Sequence, residues 1–371
     1  MQHLAKLSLI AAALCGASAH AQSQARFDLA VTHAAAPAAF ARLTAGHYPA
    51  MLGRDRLAVL AASRRANAAA PMAPPPPTSL PSGVTFLDYP GAAQTIFPDF
   101  NLGARRAKKQ YFAGGYDNTL SGGYSPTALA AQLAASPSGV NESFQTILPG
   151  TSVVAATGVN DANDIVGWVQ ASNTCATDGF VLSKGVETLL SPPFDGVNGA
   201  VAEGINDAGL VVGLWYSSSD GSCTPHGFTW KNGTYTQLAD PPNAVGSLVF
   251  GVNTAGNMSG EWIDANFQPH GFYLANGVYT EFDPPGSIAT YVGGLNDANV
   301  ILGDYCTTQS CIATGAGAQW FTWSNGTFTN IALPWPTATT ATQAEAINNA
   351  GTLLGQYIDQ AGFVHSFTLP Q

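Results

Sequence analysis

Basic side chains are almost missing from most of this chain. Of its 371 residues 13 are Lys or Arg, and 11 of those fall within residues 1–110, where they leave a net charge of +7. Residues 111–371 hold two, Lys184 and Lys231, against 19 Asp or Glu, a net of −17. Nucleic-acid affinity comes largely from phosphate neutralisation by Lys and Arg, so this part of the chain is not expected to bind nucleic acid. An acidic surface with few tryptic sites suits an extracellular protein, or one that attracts cationic partners. Long apolar runs are missing too. The one at residues 7–17 is shorter than the ~20 residues that span a bilayer, so no membrane span is expected. There is no nucleophile elbow, phosphate loop, metalloprotease motif or EF-hand loop. Cysteine numbers five, and no His or Cys pair has zinc-site spacing, so neither metal nor cofactor is expected.

What is present is repetition. Gly204-Ile205-Asn206-Asp207-Ala208-Gly209-Leu210-Val211-Val212-Gly213 has relatives starting at Gly158, Gly251, Gly294 and Ala346. The anchor residues Asn160, Asn206, Asn253, Asn296 and Asn348 recur every 43 to 52 residues. Each unit reads as four strands. Strand A ends at the anchor Asn. A tight turn follows, with Asn163, Gly209, Gly256, Asn299 or Gly351 at its last position, the two residue types that tolerate a left-handed backbone. Strand B ends at Gly167, Gly213, Gly260, Gly303 or Gly355 and leads into Trp168, Trp215, Trp262, Tyr305 or Tyr357. Strand C starts near Gly179-Phe180, Gly227-Phe228, Gly271-Phe272, Trp320-Phe321 or Ser366-Phe367. Asn232-Gly233, Asn276-Gly277 and Asn325-Gly326 then signal two-residue hairpins into strand D, which ends at proline. Four short antiparallel strands per ~45 residues describe a propeller blade.

The fold expected is therefore all-β: a β-propeller over residues 84–371, with six four-stranded blades. Five or seven are the alternatives, as are an open solenoid and a sandwich. Five units are clear. A sixth, degenerate one lies between Thr95 and Leu148, with Phe112–Tyr116 as strand B, Ser143–Pro149 as strand D, and an Ala-rich interior over 120–140 read as a loop or short helical insert. Val84–Pro90 reads as an orphan strand D. It can complete the last unit, which stops after strand C, and so close the ring without exposed edges. Ahead of the repeats, residues 1–21 read as a secretory signal peptide ending in Ala19-His20-Ala21. Residues 22–83 read as an Ala- and Pro-rich linker or pro-segment. A secreted or periplasmic location follows.

In an exported chain, four cysteines beyond Cys15 suggest disulfides, with Cys175–Cys223 and Cys306–Cys311 as candidate pairs. The weak ligand-binding candidates are Trp168, Trp215, Trp262, Tyr305, Tyr357, His226 and His270. The aromatic residues could stack on sugars, though packing between blades is the stronger reading. His226, His270 and His365 hold matching positions, which favours a shared structural role. Asp161, Asp207 and Asp297 read as turn residues, and Glu203, Glu261, Asp304 and Glu345 as acids beside strand ends. The dense basic run Arg105-Arg106-Ala107-Lys108-Lys109 reads as a solvated loop.

The combination Gly-Ile-Asn-Asp-Ala-Gly, Val-Val-Gly, His226-Gly227-Phe228, Asn-Gly resembles the bacterial extracellular HAF-type repeat family, over about residues 84–371. His270-Gly271-Phe272 and His365-Ser366-Phe367 match in the same way, with Ala replaced, while Asp178-Gly179-Phe180 and Gln319-Trp320-Phe321 are degraded. The resemblance implies export and propeller-like repeats and carries no catalytic residues. The functional expectation is a secreted binding or surface-interaction module, its partner a glycan or cell-surface polymer. The alternative is an extracellular polysaccharide hydrolase or lyase with its site at the channel mouth.

Overall fold

The computed structural model describes residues 84–89, 92, 94–103, 109–117, 127–136, 139–147, 154–170, 177–217, 224–334, 341–359 and 362–371. The signal peptide, the linker, most of the basic run, Cys175 and Cys223 lie outside them. A two-residue strand, β1 (Thr85–Phe86), comes first. The next four strands, β2 (Gln94–Phe100), β3 (Lys109–Asp117), β4 (Thr127–Ser136) and β5 (Gly139–Thr146), form an antiparallel sheet in that order. The same meander repeats in β6 (Val154–Val159), β7 (Ile165–Gln170), β8 (Thr177–Ser183) and β9 (Val186–Leu190). It returns in β10 (Val197–Ile205), β11 (Val211–Ser217), β12 (Thr224–Lys231) and β13 (Thr234–Gln237). Next come β14 (Gly246–Val252), β15 (Met258–Ile263), β16 (Pro269–Ala275) and β17 (Val278–Phe282). Then follow β18 (Ala289–Leu295), β19 (Ile301–Cys306), β20 (Gln319–Ser324) and β21 (Thr327–Ile331), with a short helix, α1 (Gln309–Thr314), between β19 and β20. The last strands, β22 (Thr342–Ile347), β23 (Leu353–Ile358) and β24 (Val364–Leu369), take β1 as their fourth strand, with Thr85 opposite Thr368 and Phe86 opposite Phe367.

The first strand of each sheet packs on the preceding sheet. β6 lies on β2–β4, β10 on β6–β8, β14 on β10–β12, β18 on β14–β16, and β22 on β18 and β19. The circuit returns where β2 packs on β22, β23 and β24. The fold is a β-propeller. Its core is the set of apolar layers between sheets. One such layer gathers Val212 of one blade with Val249, Met258 and Phe272 of the next.

Two local devices shape every blade. The first is the strand-B glycine. A Cβ on Gly213 would overlap the Val201 carbonyl oxygen, and one on Gly260 would overlap that of Leu248. The first strand bulges here, with a register shift between Ala202 and Gly204 and another between Val249 and Gly251. The buried Phe228 and Phe272 stand opposite these glycines and fill the space a side chain would have taken. The second device is the anchor Asn. Asn206 Oδ1 accepts from Ala208 N and Leu210 N in its own turn, and its Nδ2 donates to the Asn253 carbonyl of the next blade at 2.8 Å. The same bridge runs from Asn160 to the Asn206 carbonyl, from Asn253 to that of Asn296 and from Asn296 to that of Asn348. An aspartate would fit the turn but could not donate to the neighbouring carbonyl.

Two expectations need correction, and one anchor was not read from the sequence. The Ala-rich interior of the degenerate unit forms strands: β4 pairs with β3 from Tyr116↔Thr127 to Lys109↔Ala134. Pairing with an otherwise open edge overrides the local preferences of alanine. The degenerate unit also has an anchor, Asn101, whose Oδ1 accepts from Tyr111 N. An insertion of six residues carrying the basic run hides it: Asn101 bonds Tyr111, ten residues on, where Asn206 bonds Leu210, four residues on. Finally, the acids Glu203, Glu261, Asp304 and Glu345 lie within strands and are buried, not beside strand ends. Glu261 Oε1 accepts from Val292 N and Asp304 Oδ1 from Ala344 N, backbone donors at the bulges of the following blades.

Candidate functional site

Each meander sends its first turn and its Asn-Gly hairpin to one end of the ring. The loops from second to third strand and the links to the next blade go to the other end. The first end is closed by the Asn bridges and by acids that join adjacent turns. Asp207 Oδ1 accepts from Asp161 N, Asp297 Oδ1 from Thr254 N, and Asn349 Oδ1 from Asp297 N. These turn acids therefore tie blades together as well as shaping turns. Burial, then the charges of Asp161, Asp297 and Asp164, push the Asp207 carboxyl up, against the hydrogen bond from Asp161 N that lowers it.

Inside the ring, a narrow axial opening is lined by residues of every blade, among them Val159, Ile205, Val252, Leu295 and Ile347. Asp99 is the one carboxylate among the lining residues, and its Oδ2 accepts from Val159 N at 3.3 Å. No group of three or more His, Cys, Asp or Glu able to hold a metal ion occurs among the described residues.

At the opposite end the repeated histidines act as clasps. His226 Nδ1 lies 2.7 Å from Asp240 Oδ2, and Asp240 Oδ1 accepts from the Ser247 hydroxyl on β14 of the next blade. His270 Nδ1 lies 2.7 Å from Asp283 Oδ2, and Asp283 Oδ1 accepts from the Thr290 hydroxyl on β18. His365 Nδ1 meets Asp88 at 3.0 Å and its Nε2 meets Asp359 at 3.3 Å, so this clasp joins the segment that opens the propeller to its last strand. Each imidazole also packs on the aromatic residue ending the second strand: His226 on Trp215, His270 on Trp262, and His365 on Tyr357. The Asp283 hydrogen bond outweighs burial and raises His270 above the usual histidine range. Burial would lower His365, but Asp359 and Asp88 outweigh it and push it up to about 9. The aspartates were legible in the sequence as acids one or two residues before proline, in Asp240-Pro241, Asp283-Pro284 and Asp88-Tyr89-Pro90, a signal sequence reasoning passed over.

The other sequence candidates are dispersed. Trp168, one position out of register with the rest, packs against Val201, Leu214 and Leu248 of the following blades. Trp215 and Tyr305 are buried, Trp262 and Tyr357 half-buried. The structure does not bring them into one platform. Cys306 and Cys311 are disulfide-bonded and hold the start of α1 against β19. Thr308 caps the helix by accepting from Cys311 N.

One residue stands out at this end that the sequence did not single out. The loop from β15 to β16 is the anchor-Asn turn rebuilt on an aspartate. Asp264 Oδ1 accepts from Asn266 N and Gln268 N, Phe267 N donates to Asp264 O, and Asp264 N donates to Gln268 O. The same backbone bonds occur from Asn160, Asn206, Asn253, Asn296, Asn348 and Asp359. The left-handed position of this turn holds Asn163, Gly209, Gly256, Asn299, Gly351 and Gly362, but here it holds Phe267, at φ 60°. A bulky residue in this conformation costs about 1–2 kcal/mol. Much of its ring nevertheless stays in solvent, Phe267 being 43% exposed. Val245 is also exposed, and its N donates to the Ile263 carbonyl at the end of β15.

No protein-family profile matches the chain, and no curated protein matches it. Solved structures that match are distant. A prolyl endopeptidase structure aligns at 13% identity and TM-score 0.41, covering 72% of this chain but 39% of the other. TolB from Acinetobacter baumannii aligns at 14% identity and TM-score 0.39, covering 86% and 70%. The β-propeller domain of the trilobed protease from Pyrococcus furiosus aligns at 9% identity and TM-score 0.41, covering 75% and 94%. The chain thus spans well under half the length of the endopeptidase it matches. No helix among the described residues is long and apolar enough to cross a membrane.

Proposed function

We propose that this protein is an exported binding or surface-interaction module. A closed ring of six blades, completed by β1, presents ligand-contacting loops at the end opposite the Asn bridges. Its ligand class is a glycan or cell-surface polymer. The observation that carries this reading is a division of labour at the clasp end. The repeated His, Asp, Ser and Thr groups are engaged in holding blades together. The elements that break the repeat, Phe267 and the disulfide-pinned α1, sit in the loops, where scaffold proteins place their contacts. The HAF-like triplets and the Ala19-His20-Ala21 segment support export, as does the Cys306–Cys311 bond, which suits an oxidising compartment.

A polysaccharide hydrolase at the channel would need two carboxylates roughly 5–9.5 Å apart. Asp99 alone among the cavity-lining residues does not supply that pair. The deciding experiment incubates the mature protein with a panel of glycans and cell-wall polymers, scoring retention and chain length together. Retention with the polymer intact supports the module. Shortened products transfer the reading to a hydrolase or lyase. Neither retention nor shortening removes both.

A further inference from the structure

We infer that the β15–β16 turn carries a carbohydrate-contacting subsite built on Phe267, with the Asp264 carboxylate at the head of the same turn, and that it takes a neutral pyranose polymer. This deepens the binding-module reading and rests on it.

The placement argues first that the residue is there for something other than folding. Six other turns of the same hydrogen-bonding pattern put Gly or Asn at this position. Phe267 keeps a strained backbone while leaving 43% of its surface in solvent. A strained residue that leaves so much of an apolar ring in solvent points to an external contact.

Size and charge then choose the ligand. Of a phenylalanine's ~200 Å² of surface, the exposed share is roughly 90 Å², about the face of one sugar ring. A stable protein interface buries about 1,200–2,000 Å², far more than this knob provides. Below Phe267, the Trp262–His270 rung stacks at 4.3 Å between ring centroids and stiffens the base of the turn. Asp264 Oδ2 accepts from Asn266 Nδ2 and lies 3.9 Å from His270 Nε2, while Asp283, exposed, engages the other ring nitrogen, Nδ1. Carboxylate oxygens accept from vicinal hydroxyls beside a stacked ring. Asp264, Asp283 and the exposed Glu281 disfavour a polyanion, in keeping with the net −17 of residues 111–371.

The test is affinity electrophoresis of the mature protein in native gels cast with dextran, xylan, glycol chitin or hydroxyethylcellulose, alongside F267G and F267Y. The wild type should be retarded by at least one polymer. F267G should lose roughly tenfold in apparent affinity while F267Y retains it. Thermal melting is the independent readout: F267G should melt higher, by roughly 2 °C, because the strain is relieved. That rise, with a loss of retardation, separates a binding role from damage to the fold. No retardation of the wild type in any gel overturns the inference, and is the outcome expected if the knob docks a protein instead. Retardation undiminished in F267G also overturns it, while leaving the binding-module reading standing elsewhere on the ring.

Discussion

The Asn253 side chain spends its two halves in two blades. Its Oδ1 accepts from Asn257 N in its own turn, while its Nδ2 donates to the Asn296 carbonyl and to Asn299 Oδ1 in the next. Asn253→Asp keeps the turn and replaces that donor with an acceptor facing buried oxygens. A loss of about 2–3 kcal/mol in urea unfolding is expected, whereas Asn253→Asp at no cost would remove the bridge from the account. His365 gives a second residue-scale prediction. Its folded-state pKa, about 9, lies above the ordinary value of 6.5, so its contribution is complete below pH 6.5 and fades as pH rises through 9. Unfolding midpoints should fall over that window by an amount equivalent to about 3 kcal/mol, and His365→Gln should flatten the profile. A wild-type midpoint unchanged from pH 6.5 to 10 contradicts the ion-paired clasp. The histidines' shared role was legible from their matching positions. Their partners were less so, because each clasp spans two blades and the aspartates looked like ordinary residues preceding proline.

Strands and turns were the readily legible scale. Period, Asn-Gly hairpins and the strand-B glycines placed the elements of the regular units, because each of those signals is local. The degenerate unit was harder for physical reasons. Its anchor, Asn101, is separated from its strand by an insertion. Its third strand is Ala-rich and is held by pairing with β3, a contact that no local pattern encodes. Phe267 was overlooked because an aspartate replaces asparagine at the head of its turn, which hid the repeat of the turn itself. The strand-B glycine offers the element-scale prediction. Gly213→Ala pushes a methyl into the Val201 carbonyl and should cost about 3 kcal/mol or more, whereas Gly233→Ala, whose Cβ meets nothing within 4 Å, pays only for its left-handed backbone at φ 85°. Equal costs for the two variants in parallel denaturation series would show that the bulge contact is unimportant.

At the scale of the molecule, everything depends on the first and last strands of the propeller meeting. Phe86 pairs with Phe367, Leu87 N donates to the Ser366 carbonyl at 3.0 Å, and Asp88 holds His365. On the other side Ser366 Oγ accepts from Phe97 N and donates to the Thr95 carbonyl, so one serine fastens the closing blade to the first. With the ring shut, the loops at the clasp end hold fixed positions around the axis, which is what a binding face requires. Amide hydrogen exchange under native conditions reads this closure directly at Leu87. The account predicts that Leu87 exchanges as slowly as the amides of β23 and β24, opening with the whole ring. Exchange at Leu87 near the rate of an unprotected amide, with β24 still protected, would contradict it.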